Sequence, residues 1–113
     1  MVDNWPDIPF DESMLGDDVI IHCPEKDLVK ELFDILAENG VGWAGGQPLS
    51  LTYWNYSGIS TCYRVTKNLS MRYGDTHCYS RADYANSIKC TFYGVEPDIE
   101  ISDVAFEEVI SKG

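Results

Sequence analysis

Residues 19–40 read VIIHCPEKDLVKELFDILAENG, and this stretch decides the fold class. Val19, Ile20 and Ile21 are branched apolar residues in succession, which reads as a short buried strand. Pro24 ends it and suits the first turn of a helix, where a backbone N–H is not needed. A helix is therefore predicted from residue 24. Leu28, Val29, Leu32, Phe33, Ile35 and Leu36 recur at three- and four-residue steps, while Glu25, Lys26, Lys30, Glu31, Asp34 and Glu38 keep to the other face. Asn39-Gly40 stops the pattern, because Gly40 is free to take the left-handed cap conformation.

Beyond residue 48 the period changes. LSLTYWNY (49–56), STCYRVT (60–66), LSMRY (69–73) and SIKCTFYG (87–94) are rich in β-branched and aromatic residues and read as four antiparallel strands. Ser57-Gly58 and Lys67-Asn68 are predicted hairpin turns. Gly74-Asp75 opens a longer connection to residue 87, with a helical turn from Arg81 to Asn86. Ser102 is an N-cap candidate for a short C-terminal helix that turns Val104, Ala105, Val109 and Ile110 inward. The expectation is an α+β fold: a small, mainly antiparallel sheet packed on one amphipathic helix, with a short C-terminal helix. A chain of 113 residues with 44% apolar content suits one domain, placed at 19–113 after an arm over 1–18.

Charge is segregated. The formal net charge is -11. The arm carries Asp3, Asp7, Asp11, Glu12, Asp17 and Asp18 and no base, and residues 95–113 carry Glu96, Asp98, Glu100, Asp103, Glu107 and Glu108 against Lys112 alone. Between 41 and 94, Asp75 and Asp83 face Arg64, Lys67, Arg72, Arg81 and Lys89. Trp5, Ile8, Phe10, Met14 and Leu15 make the arm too apolar for an inert tail, so it should dock on its own domain or on a partner. The start of the chain lacks a basic segment followed by an apolar run, and no apolar stretch approaches the roughly 20 residues needed to span a bilayer. The expected location is the cytosol, away from membranes, with Cys23, Cys62, Cys78 and Cys90 as thiols.

Gly40-Val41-Gly42-Trp43-Ala44-Gly45 has the letters of a dinucleotide-binding loop, but it follows a helix where that loop must open one. It reads as a cap and turn, with Trp43 pinning the helix end to the sheet. His22-Cys23 and His77-Cys78 supply zinc-type ligands without zinc spacing, since neighbours on a strand point to opposite faces. The same separation keeps either pair from acting as a nucleophile and its base. No metal, no cofactor and no catalytic residue is expected, so the chain is read as a binding protein rather than an enzyme.

Two surfaces are candidates for binding. Tyr53, Trp54, Tyr56, Tyr63, Arg64, Lys67, Arg72, Tyr73 and Tyr79 combine rings with cations, as stacking of a base beside a phosphate requires, although alternation divides them between two faces. Trp54, Tyr63, Arg64, Arg72 and Tyr73 are the candidates for holding a small nucleotide-like molecule. Long nucleic acid is excluded as a direct ligand, because a chain this acidic repels phosphate at long range. The second surface is the twelve carboxylates of the two acidic ends, with Trp5, Phe10 and Phe106 as apolar anchors, suited to the basic groove of a protein partner. Self-association is expected through a free sheet edge or the apolar arm.

The order VIIHC (19–23), amphipathic helix, LAENGVGWAGG (36–46), then TCYRV (61–65) and SIKCTFYG resembles short proteins carried by phages and prophages. The likeness spans residues 19–94 and consists of structural positions, so it carries no active site. It implies a phage context inside a host cell. There the favoured expectation is that the acidic surface inhibits a host defence factor or nucleic-acid-binding protein, and the alternative is that the aromatic and basic surface sequesters a nucleotide-like signal.

Overall fold

The computed structural model describes residues 5–94. Strand β1 (Val19–His22) is buried on both faces, as its unbroken apolar run requires. It lies between β3 (Thr61–Val65) and β5 (Ile88–Thr91) in a five-stranded sheet of order β2-β4-β3-β1-β5, completed by β2 (Gly42–Trp43) and β4 (Ser70–Asp75). The centre is antiparallel, with Ile21 opposite Tyr63 and Tyr63 opposite Tyr73. The pairing of β1 with β5 is parallel where antiparallel strands were expected, and β2, read from the sequence as a turn, pairs in parallel with β4. Both parallel pairs are joined by long connections, as parallel strands require, and these carry both helical turns and the intervening strands.

The helix begins with a 3-10 turn over Lys26–Leu28 and continues as α1 (Val29–Glu38), two residues later than the sequence suggests. Val29, Leu32, Phe33 and Leu36 are buried against Val19, Ile21, Tyr63, Val65 and Met71 of the sheet. The stop is as expected. Gly40 has φ +85°, its N–H donates to the Ala37 carbonyl at 3.0 Å, and the Val41 N–H donates to that of Leu36 at 3.0 Å. The Lys67-Asn68 turn also forms, closed by Leu69 N–H on the Thr66 carbonyl at 2.9 Å.

Residues 49–56 are not a strand. They form a loop ending in a single turn, α2 (Trp54–Ser57), so Ser57-Gly58 is not a hairpin turn either. Tyr53 adopts φ 56°, a left-handed conformation that cannot continue a ladder. Side-chain hydrogen bonds hold the segment over the end of the core: Trp54 Nε1–H to the Cys23 carbonyl at 2.8 Å, Tyr63 O–H to that of Thr52 at 2.8 Å, and Thr61 Oγ1–H to that of Trp54 at 3.1 Å. The β-type composition marks half-buried packing here rather than pairing. After β4, helical turns occur at α3 (Thr76–Tyr79) and as a 3-10 turn at Ala82–Tyr84 within the expected connection.

The arm docks on its own domain. Phe10 N–H donates to the Thr91 carbonyl at 2.9 Å and Thr91 N–H to that of Ile8 at 2.7 Å, so the arm extends the sheet beyond β5 and covers that edge. Trp5 Nε1–H donates to the Cys90 carbonyl at 2.9 Å with its ring edge-on to His22, and Phe10 packs edge-on against Phe92. Among the described residues no helix is long and apolar enough to cross a membrane. The predicted C-terminal helix with Phe106, and Asp3, Glu96, Asp98, Glu100, Asp103, Glu107 and Glu108, lie outside the described residues.

Candidate functional site at the β4 edge

Strand β2 pairs only with Ser70 and Met71, so the Arg72–Asp75 part of β4 has a strand neighbour on one side alone. A cleft of about 560 Å³ opens at this edge. One wall is the Trp43–Gly45 turn with Tyr53 and Tyr73, and the other is Cys78, Tyr79 and Tyr84. The first wall is a built aromatic cluster. Tyr53 and Tyr73 stack at 4.6 Å with planes 6° apart, and Trp43 meets both rings edge-on at 5.0 and 6.1 Å. Tyr56 lies 5.9 Å from Tyr73 in a nearly parallel plane. The left-handed backbone at Tyr53 is what turns its ring onto Tyr73, a conformation costing a bulky residue about 1 kcal/mol or more.

The second wall depends on Gly74. A Cβ there would approach Tyr79 Cε2 to 2.8 Å, so the absence of a side chain lets Tyr79 lie against β4. Tyr79 in turn meets Tyr84 edge-on at 4.9 Å, and burial pushes its phenol well above the usual range. Arg72 reaches the cleft from β4 and is the one charged side chain among the described residues lining it. Among the described residues no carboxylate shares those walls, in a chain of net charge -11.

Of the five residues expected to form a ligand site, the structure brings Arg72 and Tyr73 together and takes the other three away. Tyr63 is fully buried under α1, Trp54 is tied by its indole N–H to Cys23, and Arg64 is held by Asp18. Arg64 Nε and Nη2 donate to Asp18 Oδ1 and Oδ2 at 2.9 and 2.7 Å, and the guanidinium lies 5.1 Å from the centre of the Tyr84 ring. The same pair removes Asp18 from the carboxylates available to a partner. Asp11 is also engaged, bonded to the backbone and hydroxyl of Ser13, whereas Asp7 and Asp17 are exposed and Glu12 accepts from Asn39 Nδ2 at 3.1 Å.

The Arg64 hydrogen bond holds the Asp18 carboxyl below its ordinary value of 3.8. A lowered carboxylate contributes stability that is present above its unfolded pKa and lost as pH falls through the lower folded one. Arg64→Ala is therefore expected to destabilise by about 1–2 kcal/mol at neutral pH, both side chains being 26% exposed. The gap between variant and wild type should narrow as urea titrations are carried to pH values below the ordinary 3.8 of the carboxyl.

The His-Cys pairs are placed differently from one another. His22 is buried with its Nε2 2.7 Å from the Ile59 carbonyl, to which it donates, and burial lowers its pKa. His77 and Cys78 lie in α3 rather than on a strand. Burial pushes the Cys23 and Cys90 thiols up to about 12 and Cys62 higher still, so these three are not thiolate nucleophiles near neutral pH. Among the described residues no group of three or more His, Cys, Asp or Glu is arranged to hold a metal ion.

Gln47 and Tyr84 also line the cleft and escaped the sequence reading, as does Trp43, which the sequence assigns only a structural part. The class these features define is an α+β protein with an aromatic cleft at a sheet edge. Neither protein-family models, curated proteins nor solved structures yield a match to the chain, and none of these comparisons links it to phage-borne proteins.

Proposed function

We propose that the protein is a non-catalytic binding protein that holds a small, planar, anionic molecule of the nucleotide kind in the β4-edge cleft. The observation that carries this reading is that Arg72 lines the same cleft as the Tyr53–Tyr73 stack, with no carboxylate among the described residues that line it. Rings of this kind accept the face of a base, and a guanidinium with no ion pair among the described residues can donate charge-assisted hydrogen bonds to a phosphate oxygen. The net charge of the chain works against long polyanions, which require many phosphate contacts, far more than against a mononucleotide with one.

The test is thermal unfolding with adenosine, adenosine monophosphate and a cyclic dinucleotide. Ligand at about 100 times its Kd adds about 2.7 kcal/mol of stability, a rise in Tm of roughly 10 °C for a domain of this size. Arg72→Ala should erase the preference for nucleotide over nucleoside, and Tyr73→Ala should abolish the shift for both. An unchanged Tm across the panel removes this reading.

One observation favours a protein partner instead. The docked arm fixes Asp7, Glu12 and Asp17 on the surface, and the Glu12–Asn39 hydrogen bond sets the acidic turn beside the end of α1, whose outer face carries Glu31, Asp34 and Glu38. A surface of this sign suits the basic groove of a nucleic-acid-binding protein, and an inhibitor of such a protein would use it.

A further inference from the structure

We propose that Gln47 reads the edge of the base in the β4-edge cleft and makes adenine the base it takes, an inference that rests on the reading of the cleft as a nucleotide site. Gln47 is exposed and lines the cleft with Trp43, Ala44 and Gly45, and its side-chain amide has no hydrogen-bond partner among the described residues. The position of that amide is built. Ala44 N–H donates to the Met71 carbonyl of β4 at 3.0 Å, and Gly46 N–H closes a turn on the Trp43 carbonyl at 2.9 Å. Gly46 has φ +83°, whereas Gly45 lies outside the left-handed region, so backbone conformation gives no reason for glycine at 45. Space does. A Cβ on Gly45 would lie 2.7 Å from Gln47 Oε1 and 2.8 Å from its Nε2, so the missing side chain makes room for the amide at the cleft. Pro48 holds the Gln47 backbone to extended conformations, which narrows the range of the amide further.

Chemistry selects the base. A planar amide offers one acceptor and one donor side by side. Adenine presents the matching pair, the N6 amino donor beside the N7 acceptor, whereas guanine presents two acceptors, N7 and O6, on the same edge, a pattern that suits Arg or Lys. Arg72 is the one charged side chain among the described residues lining the cleft, and the nucleotide reading commits it to the phosphate. No second cation among those residues is left for guanine. The amide is therefore the group that separates adenine from guanine, and from a purine ring without the amino group.

Isothermal titration calorimetry of the full chain tests this with adenosine monophosphate, guanosine monophosphate and purine riboside monophosphate, which lacks the 6-amino group. The wild type should bind the adenosine nucleotide about tenfold more tightly than either of the others, the lower part of what a bidentate amide pair contributes, because the amide is open to water. Gln47→Leu should keep the wild-type Tm, since the side chain is exposed, and should bind all three nucleotides alike. Gly45→Ala, whose backbone conformation alanine tolerates, should shrink the preference by displacing the amide. Equal or reversed affinities in the wild type, or a preference that survives Gln47→Leu, would overturn the role of Gln47 and leave the cleft a nucleotide site. Binding of none of the three removes the nucleotide reading and this inference with it.

Discussion

Replacing Trp43 by alanine is expected to lower stability by about 3–5 kcal/mol, a large share of the roughly 5–15 kcal/mol that keeps a domain folded. Trp43 is 7% exposed and packs edge-on against Phe33 and Tyr63 of the core at 5.8 and 6.2 Å. It also meets Tyr53 and Tyr73 of the cleft, and its indole N–H donates to the Leu51 carbonyl at 2.8 Å. Truncation therefore removes buried aromatic surface and leaves an unpaired carbonyl in the loop that carries the left-handed Tyr53. Urea unfolding followed by tyrosine fluorescence should show a lower midpoint with little change in slope. A cost under about 1 kcal/mol would mean that the core and the cleft do not share this residue as a common floor.

The second large effect is expected at the arm. Trp5 touches the sheet face carrying Ile20, Cys62 and Tyr79, while Phe10 packs with Phe92 on the α1 face. Because they meet different clusters, their contributions should add. Each is half-buried, so each alanine substitution should cost roughly half of the full aromatic value, and Trp5→Ala with Phe10→Ala together about 3–5 kcal/mol. Hydrogen exchange is the sharper readout, since the Phe10 and Thr91 amides are bonded across the arm and β5. In the double variant both should lose protection along with the rest of the edge. Unchanged protection there would show that β5 does not need the arm.

The fold was legible where periodicity and chain-stop chemistry act locally. Leu28 to Leu36 could face only one way on a helix, Gly40 could end it, and three branched residues before Pro24 could only be a covered strand. Residues 49–56 misled because Thr, Tyr and Trp suit any half-buried surface, and what decides between strand and loop is long-range: Trp54 reaches back to Cys23 and Tyr63 forward to Thr52. The same separation hid the site. Arg64 and Arg72 are directly opposite in the sheet, yet Asp18, 46 residues from Arg64, neutralises one and leaves the other to the cleft. Tyr63 and Tyr73 are likewise paired, and only the position of α1 decides that Tyr63 is buried while Tyr73 is 41% exposed. The carboxylates showed where charge lies but not which of them a neighbouring cation or hydroxyl would engage.

The most direct test of the cleft is an amide chemical-shift map of the full chain titrated with adenosine monophosphate and with a cyclic dinucleotide. Binding as proposed predicts saturable shifts confined to residues 43–47, 53, 72–75 and 78–84, all lost in Arg72→Ala with Tyr73→Ala. Shifts centred on residues 11–18 and 34–39, or no shift with either ligand, would contradict it.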